Sequence, residues 1–149
     1  MRRRWVMCVL AVATALATSS AALGAAADSG IELADGSGRS VLTLRGAVLG
    51  TLDVGRIMVA IRAGDPQVIV QGEDWQRLTD DGIIYGGRDI RFRIFRGSWK
   101  LVVNGTGINA SAVGSGVVGL RGEGRYSIDG APYQAWPEEF ETIRLSPDL

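Results

Sequence analysis

The chain is expected to fold as an all-β protein, a single antiparallel β-barrel or β-sandwich domain of short strands. Three observations predict this. Short runs of apolar and β-branched residues recur, among them Val41-Leu42-Thr43-Leu44, Ile57-Met58-Val59-Ala60-Ile61, Val68-Ile69-Val70 and Leu101-Val102-Val103. Glycine or Asp-Gly breaks separate them at roughly 8–12 residues, the spacing of sandwiches and barrels. No stretch after residue 28 carries the i, i+3, i+4, i+7 repeat of an amphipathic helix. Helix is expected to amount to at most a turn or two, with Pro137 to Glu141 the candidate place. The glycines are read as irregular in spacing, which argues against a β-solenoid.

Residues 1–27 read as a secretory signal peptide. Met1-Arg2-Arg3-Arg4 is a basic start, Trp5 to Ala17 is apolar or small, and Ala25-Ala26-Ala27 fits a small-residue cleavage site. The apolar run falls short of the ~20 residues that a spanning helix needs. Beyond it the reading is a flexible leader over 28–38, the β domain over 39–145 and a short tail over 146–149. The protein is thus expected to be extracytoplasmic or secreted, and not integral to a membrane after cleavage. Cys8 is the single cysteine and lies within the signal, so the mature chain has no disulfide and stands on its apolar core. The whole chain has 16 basic and 16 acidic residues; loss of Arg2, Arg3 and Arg4 leaves a net charge of −3. A nucleic-acid partner, which needs a strongly basic surface, is not expected.

Two hairpins and a turn are predicted. Gly97-Ser98 suits a two-residue reversal, which sets Ile94 opposite Leu101, Phe92 opposite Val103 and Arg96 opposite Trp99. Alternation then places Arg91, Arg93 and Lys100 together on the other face. Asp129-Gly130 is a favoured type I′ pair and sets Tyr126 opposite Tyr133, with Pro132 marking an edge. Asp80-Asp81-Gly82 marks the turn.

Gly114-Ser115-Gly116-Val117-Val118-Gly119 matches G-x-G-x-x-G, a dinucleotide fingerprint when it joins a strand to a helix. Gly122, Gly124 and Gly130 follow it, and each costs a helix about 1 kcal/mol. The glycines are therefore read as turns, bulges and close strand packing, and no nucleotide or other cofactor is expected. The stretch RDIRFRIFRGSWKLVVNGTGINASAVGSGVVGLRGEGRYSIDGAPYQAWP, residues 88 to 137, resembles a pattern in small secreted bacterial all-β proteins: a basic-aromatic strand, a Ser-Ala-Val-Gly segment, a glycine-rich strand and a Tyr-Ser-x-Asp-Gly turn. The resemblance covers about a third of the chain and implies a structural role for the glycines. It implies no activity and no site residue.

The chain has no histidine and the mature part has no cysteine. That excludes Ser-His-Asp and Cys-His nucleophiles, a His-containing zinc site and a redox dithiol. Carboxylates remain. Glu73, Asp74, Asp80, Asp81, Glu123 and Glu138 are candidates for a small carboxylate-dependent hydrolase, if two of them stand about 5–10 Å apart across a cleft. No metal-binding pattern stands out. Two features suit binding instead. Trp75, Tyr85, Trp99, Tyr133 and Trp136 could offer flat faces to sugar rings, as in a carbohydrate-binding module, and Trp75 and Trp136, flanked by charged residues or proline, are the pair expected to be exposed. Arg91, Arg93 and Lys100 form a basic face that either pairs with neighbouring acids or meets an anion. The expectation is a secreted, non-catalytic β domain acting in binding or in cell-envelope structure. Its partner would be a glycan, a polyanion or an envelope protein.

Overall fold

The computed structural model describes residues 29–145. The signal peptide expected over 1–27 and the tail at 146–149 lie outside them. The elements are β1 (Ser29–Ala63), β2 (Gln67–Leu78), β3 (Ile83–Phe95), β4 (Ser98–Ile128), β5 (Gln134–Ala135) and β6 (Glu141–Leu145). All pairings are antiparallel. The order is β2-β3-β1-β4-β5, with β6 also on β4. Among the described residues no pairing joins β2 to β5 or β6, so the sheet is not closed into a barrel. No helix forms there: where a helical turn was expected at Pro137 to Glu141, residues 137–140 are irregular chain and Glu141 begins β6.

The strands are not short. β1 has 35 residues and β4 has 31. Both coil. Ser98 and Ser115, 17 positions apart in β4, flank the same residue, Arg45. A straight strand of that length would span about 56 Å, whereas two strand spacings are about 10 Å. The chain therefore crosses one layer, turns a corner and returns through a second layer without breaking its ladder. The first layer holds residues 67–71, 88–95, 47–54, 106–113, 30–37 and 123–128, in that lateral order. The second holds 75–78, 83–86, 56–63, 98–104, 39–45, 115–121 and β6. The arrangement is sandwich-like, with the core between the layers.

Glycine makes the corners. Gly87, Gly55, Gly105, Gly38 and Gly122 stand opposite one another in a single row across five strand segments. Gly46 and Gly114 form the second corner, where Gly46 N–H also donates to Gly97 O at 3.2 Å. Corner-forming glycines recur at positions 38, 46 and 55 of β1 and 105, 114 and 122 of β4, every eight or nine residues. A period thus exists where the sequence reading found none. Its length is one crossing of a layer.

Alternation keeps the core inside. Leu42, Leu44, Val48 and Leu52 point inward in one phase, Ile57 and Val59 in the other. The shift falls at the first corner, between Leu52 and Ile57. β4 shifts at the same place, between Val103 and Ile108. Because both partners shift together, Thr51↔Asn109 and Val54↔Thr106 keep one register. Trp99 is fully buried, and its Nε1–H donates to Gly46 O at 3.1 Å, which ties the core to the second corner.

Several expectations change. Residues 29–38 are no leader: they begin β1, and Ile31 and Leu33 are buried. The Gly97-Ser98 reversal forms no hairpin, because β3 and β4 do not pair. Ile94 lies opposite Val48, and Leu101 opposite Leu42 and Val59. The two-residue link instead carries the chain from one layer to the other, with β1 supplying apolar partners to both strands. Long-range packing overrides the local turn preference here. Asp129-Gly130 does reverse the chain, with φ of 50° and 75° and Ala131 N–H donating to Ile128 O at 2.9 Å. Its register slips by one near Pro132, so Tyr126 faces Gln134 rather than Tyr133. The turn at Asp80-Asp81-Gly82 forms as expected, closed by Thr79 N–H donating to Gly82 O at 2.8 Å. The G-x-G-x-x-G residues are a corner within β4. The strand runs on to Ile128, and Gly119 lies under the Phe140 ring.

Candidate functional site

A groove of about 460 Å³ crosses the outer face of the first layer. Register aligns its lining. One row runs Ile69, Arg93, Leu49, Ser111, Glu32, and the next runs Gln71, Arg91, Thr51, Asn109. Four strand spacings make the groove about 19 Å long. Alternation explains the lining. Val48 and Leu52 turn into the core, so Leu49 and Thr51 must face out, and the same holds for Arg91 and Arg93 around the buried Phe92. Gly50 leaves room for the Phe92 ring directly opposite it.

The two ends of the groove differ in charge. At one end Tyr133 Oη–H donates to the Glu32 carboxylate at 2.8 Å. The Arg125 guanidinium stands 5.3 Å from the Tyr133 ring centre and pairs with Asp35 at 2.9 Å. Asn109 Oδ1 accepts from Asp35 N–H at 3.1 Å. These groups hold one another in place. At the other end Arg91 and Arg93 are exposed and make no ion pair: among the described residues the one ion pair is Arg125–Asp35. Acids on neighbouring strands were the expected compensation for this basic face. Instead the cross-strand neighbours are Thr51, Leu49, Gln71 and Ile69.

Other expected site residues fall elsewhere. Lys100 lies in the second layer, opposite Ala60 and Thr43, because the hairpin that would have joined it to Arg91 and Arg93 does not form. Trp136 is buried at 4% exposure. Its ring covers Gly36 and Gly124, and its Nε1–H donates to Arg125 O at 3.0 Å. Trp75 on β2, 44% exposed, lies over Gly86 of β3, with the Arg77 guanidinium 5.9 Å from its ring centre. The two tryptophans sit at opposite ends of the sheet path and form no common platform. Among the described residues no three acidic side chains converge on a point that could hold a metal ion. Tyr133 was among the aromatic residues expected to face sugar rings, and it does line the groove, whereas Thr51, Gln71 and Asn109 were missed as groove residues. Each is an ordinary strand or turn residue until register sets it beside the arginines.

The hydrogen bond to Glu32, and then the negative charge of Glu32, push the Tyr133 phenol above its ordinary value of 10.0. A raised value means that the contact is present through neutral pH and is lost as pH rises through the raised value. A tyrosinate absorbance titration of wild type minus Tyr133→Phe should show an ionisation above the ordinary range. Glu32→Gln should move it back down. An unmoved titration in Glu32→Gln would remove Glu32 as the cause.

No family model, curated protein or solved structure matches the chain.

Proposed function

We propose that the protein is a non-catalytic, extracytoplasmic binding domain whose ligand is an acidic polysaccharide lying along this groove. The observation that carries the reading is the pair of exposed guanidiniums of Arg91 and Arg93, neither of them in an ion pair. Their backbone positions lie about 7 Å apart along the strand, with both side chains on one face. Guanidinium forks suit carboxylate or sulfate groups, which accept two parallel hydrogen bonds. Thr51, Gln71, Asn109 and Ser111 offer donors and acceptors for ring hydroxyls. The apolar surfaces of Leu49, Ile69 and Tyr133 suit sugar ring faces. The basic start and small-residue site within residues 1–27 support an extracytoplasmic setting, and the lack of histidine supports a non-catalytic role.

The test is a calorimetric titration of the purified protein with polygalacturonate, dextran sulfate and neutral dextran. The acidic polymers should bind, and more weakly as salt rises. Hydrogen bonds to charged groups contribute about 1.5–3 kcal/mol each, so Arg91→Ala with Arg93→Ala should weaken binding by at least about tenfold. Equal binding of neutral dextran, or unchanged affinity in the double variant, would overturn the proposal.

A further inference from the structure

The outer face of the second layer carries another set of cations. Arg121 stands directly opposite Arg39, Arg39 opposite Asn104, and Asn104 opposite Arg56. Three arginines thus share one cross-strand row over four adjacent segments, and all three are exposed. Like charges directly opposite each other repel. None of the three makes an ion pair, since among the described residues the one ion pair lies elsewhere, between Arg125 and Asp35. Arg39 and Arg121 also line a recess of about 300 Å³ together with Phe140, whose half-exposed ring lies over Gly119. A recess walled by two guanidiniums and an aromatic face suits a carboxylate or sulfate attached to a sugar ring. Further along this face Lys100 and Arg144 lie opposite Thr43 and Val117, which extends the positive field.

We infer that Arg39, Arg121 and Phe140 form a second binding site for acidic polysaccharide, and that the protein bridges two polymer chains. Alternation points the Arg39–Arg121 row away from the core in one direction, and Arg91 with Arg93 away from it in the other. The two layers are only about 10 Å apart. Two anion sites back to back on a small rigid body make a bivalent cross-linker, which gains avidity on any polymer with repeated charges. The bridging rests on the groove reading above. The second site does not.

The test uses the purified protein with a short galacturonate oligomer and then with long polygalacturonate. Amide shifts in nuclear magnetic resonance spectra should move in two clusters, around 91–93 and around 39 and 121. Arg39→Gln with Arg121→Gln should abolish the second cluster and leave the first, and Arg91→Ala with Arg93→Ala the reverse. With the long polymer, wild type should scatter light strongly and either double variant should not. Without ligand at low salt, Arg39→Gln should raise the thermal midpoint, because it relieves the facing charges. A single cluster at 91–93, unmoved by Arg39→Gln with Arg121→Gln, would overturn the second site and leave the groove standing. A single cluster at 39 and 121 would overturn the groove and the bridging but not this site. Two clusters without scattering would overturn the bridging. Equal shifts with single-stranded DNA of matched charge would overturn the polysaccharide assignment.

Discussion

Replacing Gly55 by alanine is expected to destabilise the protein by about 3 kcal/mol or more, the upper end of what forcing a side chain into a glycine-only backbone region costs. Gly55 has φ 148°, and a Cβ there would collide with the carbonyl oxygen of Asn104 on the facing strand. Gly105 across the ladder has φ 151°, and a Cβ there would meet the Val54 carbonyl in the same way. Each strand closes on the other's backbone, so neither can yield without opening the ladder at the corner. Both strands change their inward phase at this corner, so opening it also displaces Leu52, Ile57, Val103 and Ile108 from the core. Gly130→Ala is the control. Gly130 has φ 75° in a surface turn with nothing within 4 Å of an added Cβ, so only the left-handed backbone cost of about 1 kcal/mol applies. Urea unfolding of the two variants should differ by about 2 kcal/mol or more. Equal losses would mean that the glycine row is not what turns the sheet.

Trp136→Ala is expected to cost about 3–5 kcal/mol, the range for removing a buried large aromatic. The ring fills the space above Gly36 and Gly124, where no side chain exists to collapse into the gap. Its Nε1–H also satisfies the Arg125 carbonyl. Because Arg125 carries the ion pair to Asp35 and stacks on Tyr133, the same substitution should loosen the Glu32 end of the groove. Trp75→Ala should cost about 1 kcal/mol, since the ring is half exposed and its contact with Arg77 is of the exposed cation–π kind. Thermal unfolding separates the two. If Trp136→Ala lost no more than Trp75→Ala, the capping role assigned to Trp136 would fail. Both tryptophans cover glycines, and Phe140 does the same over Gly119. The aromatic residues that look like a sugar platform in the sequence mostly complete a sheet built with gaps.

Strand formation, the inward alternation within each run and the turns at Asp80-Asp81-Gly82 and Asp129-Gly130 were legible because they depend on residues near in sequence. A period of two needs only one strand, and a glycine at positive φ needs only its own backbone. The eight- to nine-residue spacing of the corner glycines was present in the chain but read as irregular, so the coiling of β1 and β4 into long strands was not foreseen. Partner choice was not legible. Gly97-Ser98 allows a hairpin on local grounds, yet Ile94 gains Val48 and Leu101 gains Leu42 and Val59, contacts between residues more than 40 positions apart. Hydrophobic burial summed over such pairs outweighs one turn preference. The groove follows from that choice. Arg91 and Arg93 face outward by alternation alone, but register alone puts Thr51, Gln71 and Asn109 beside them, excludes Lys100 and leaves them without an ion pair. Side-chain direction along a strand is a local property. Which side chains meet across strands is a property of the whole sheet, because register is chosen by the total area that all the pairings bury together.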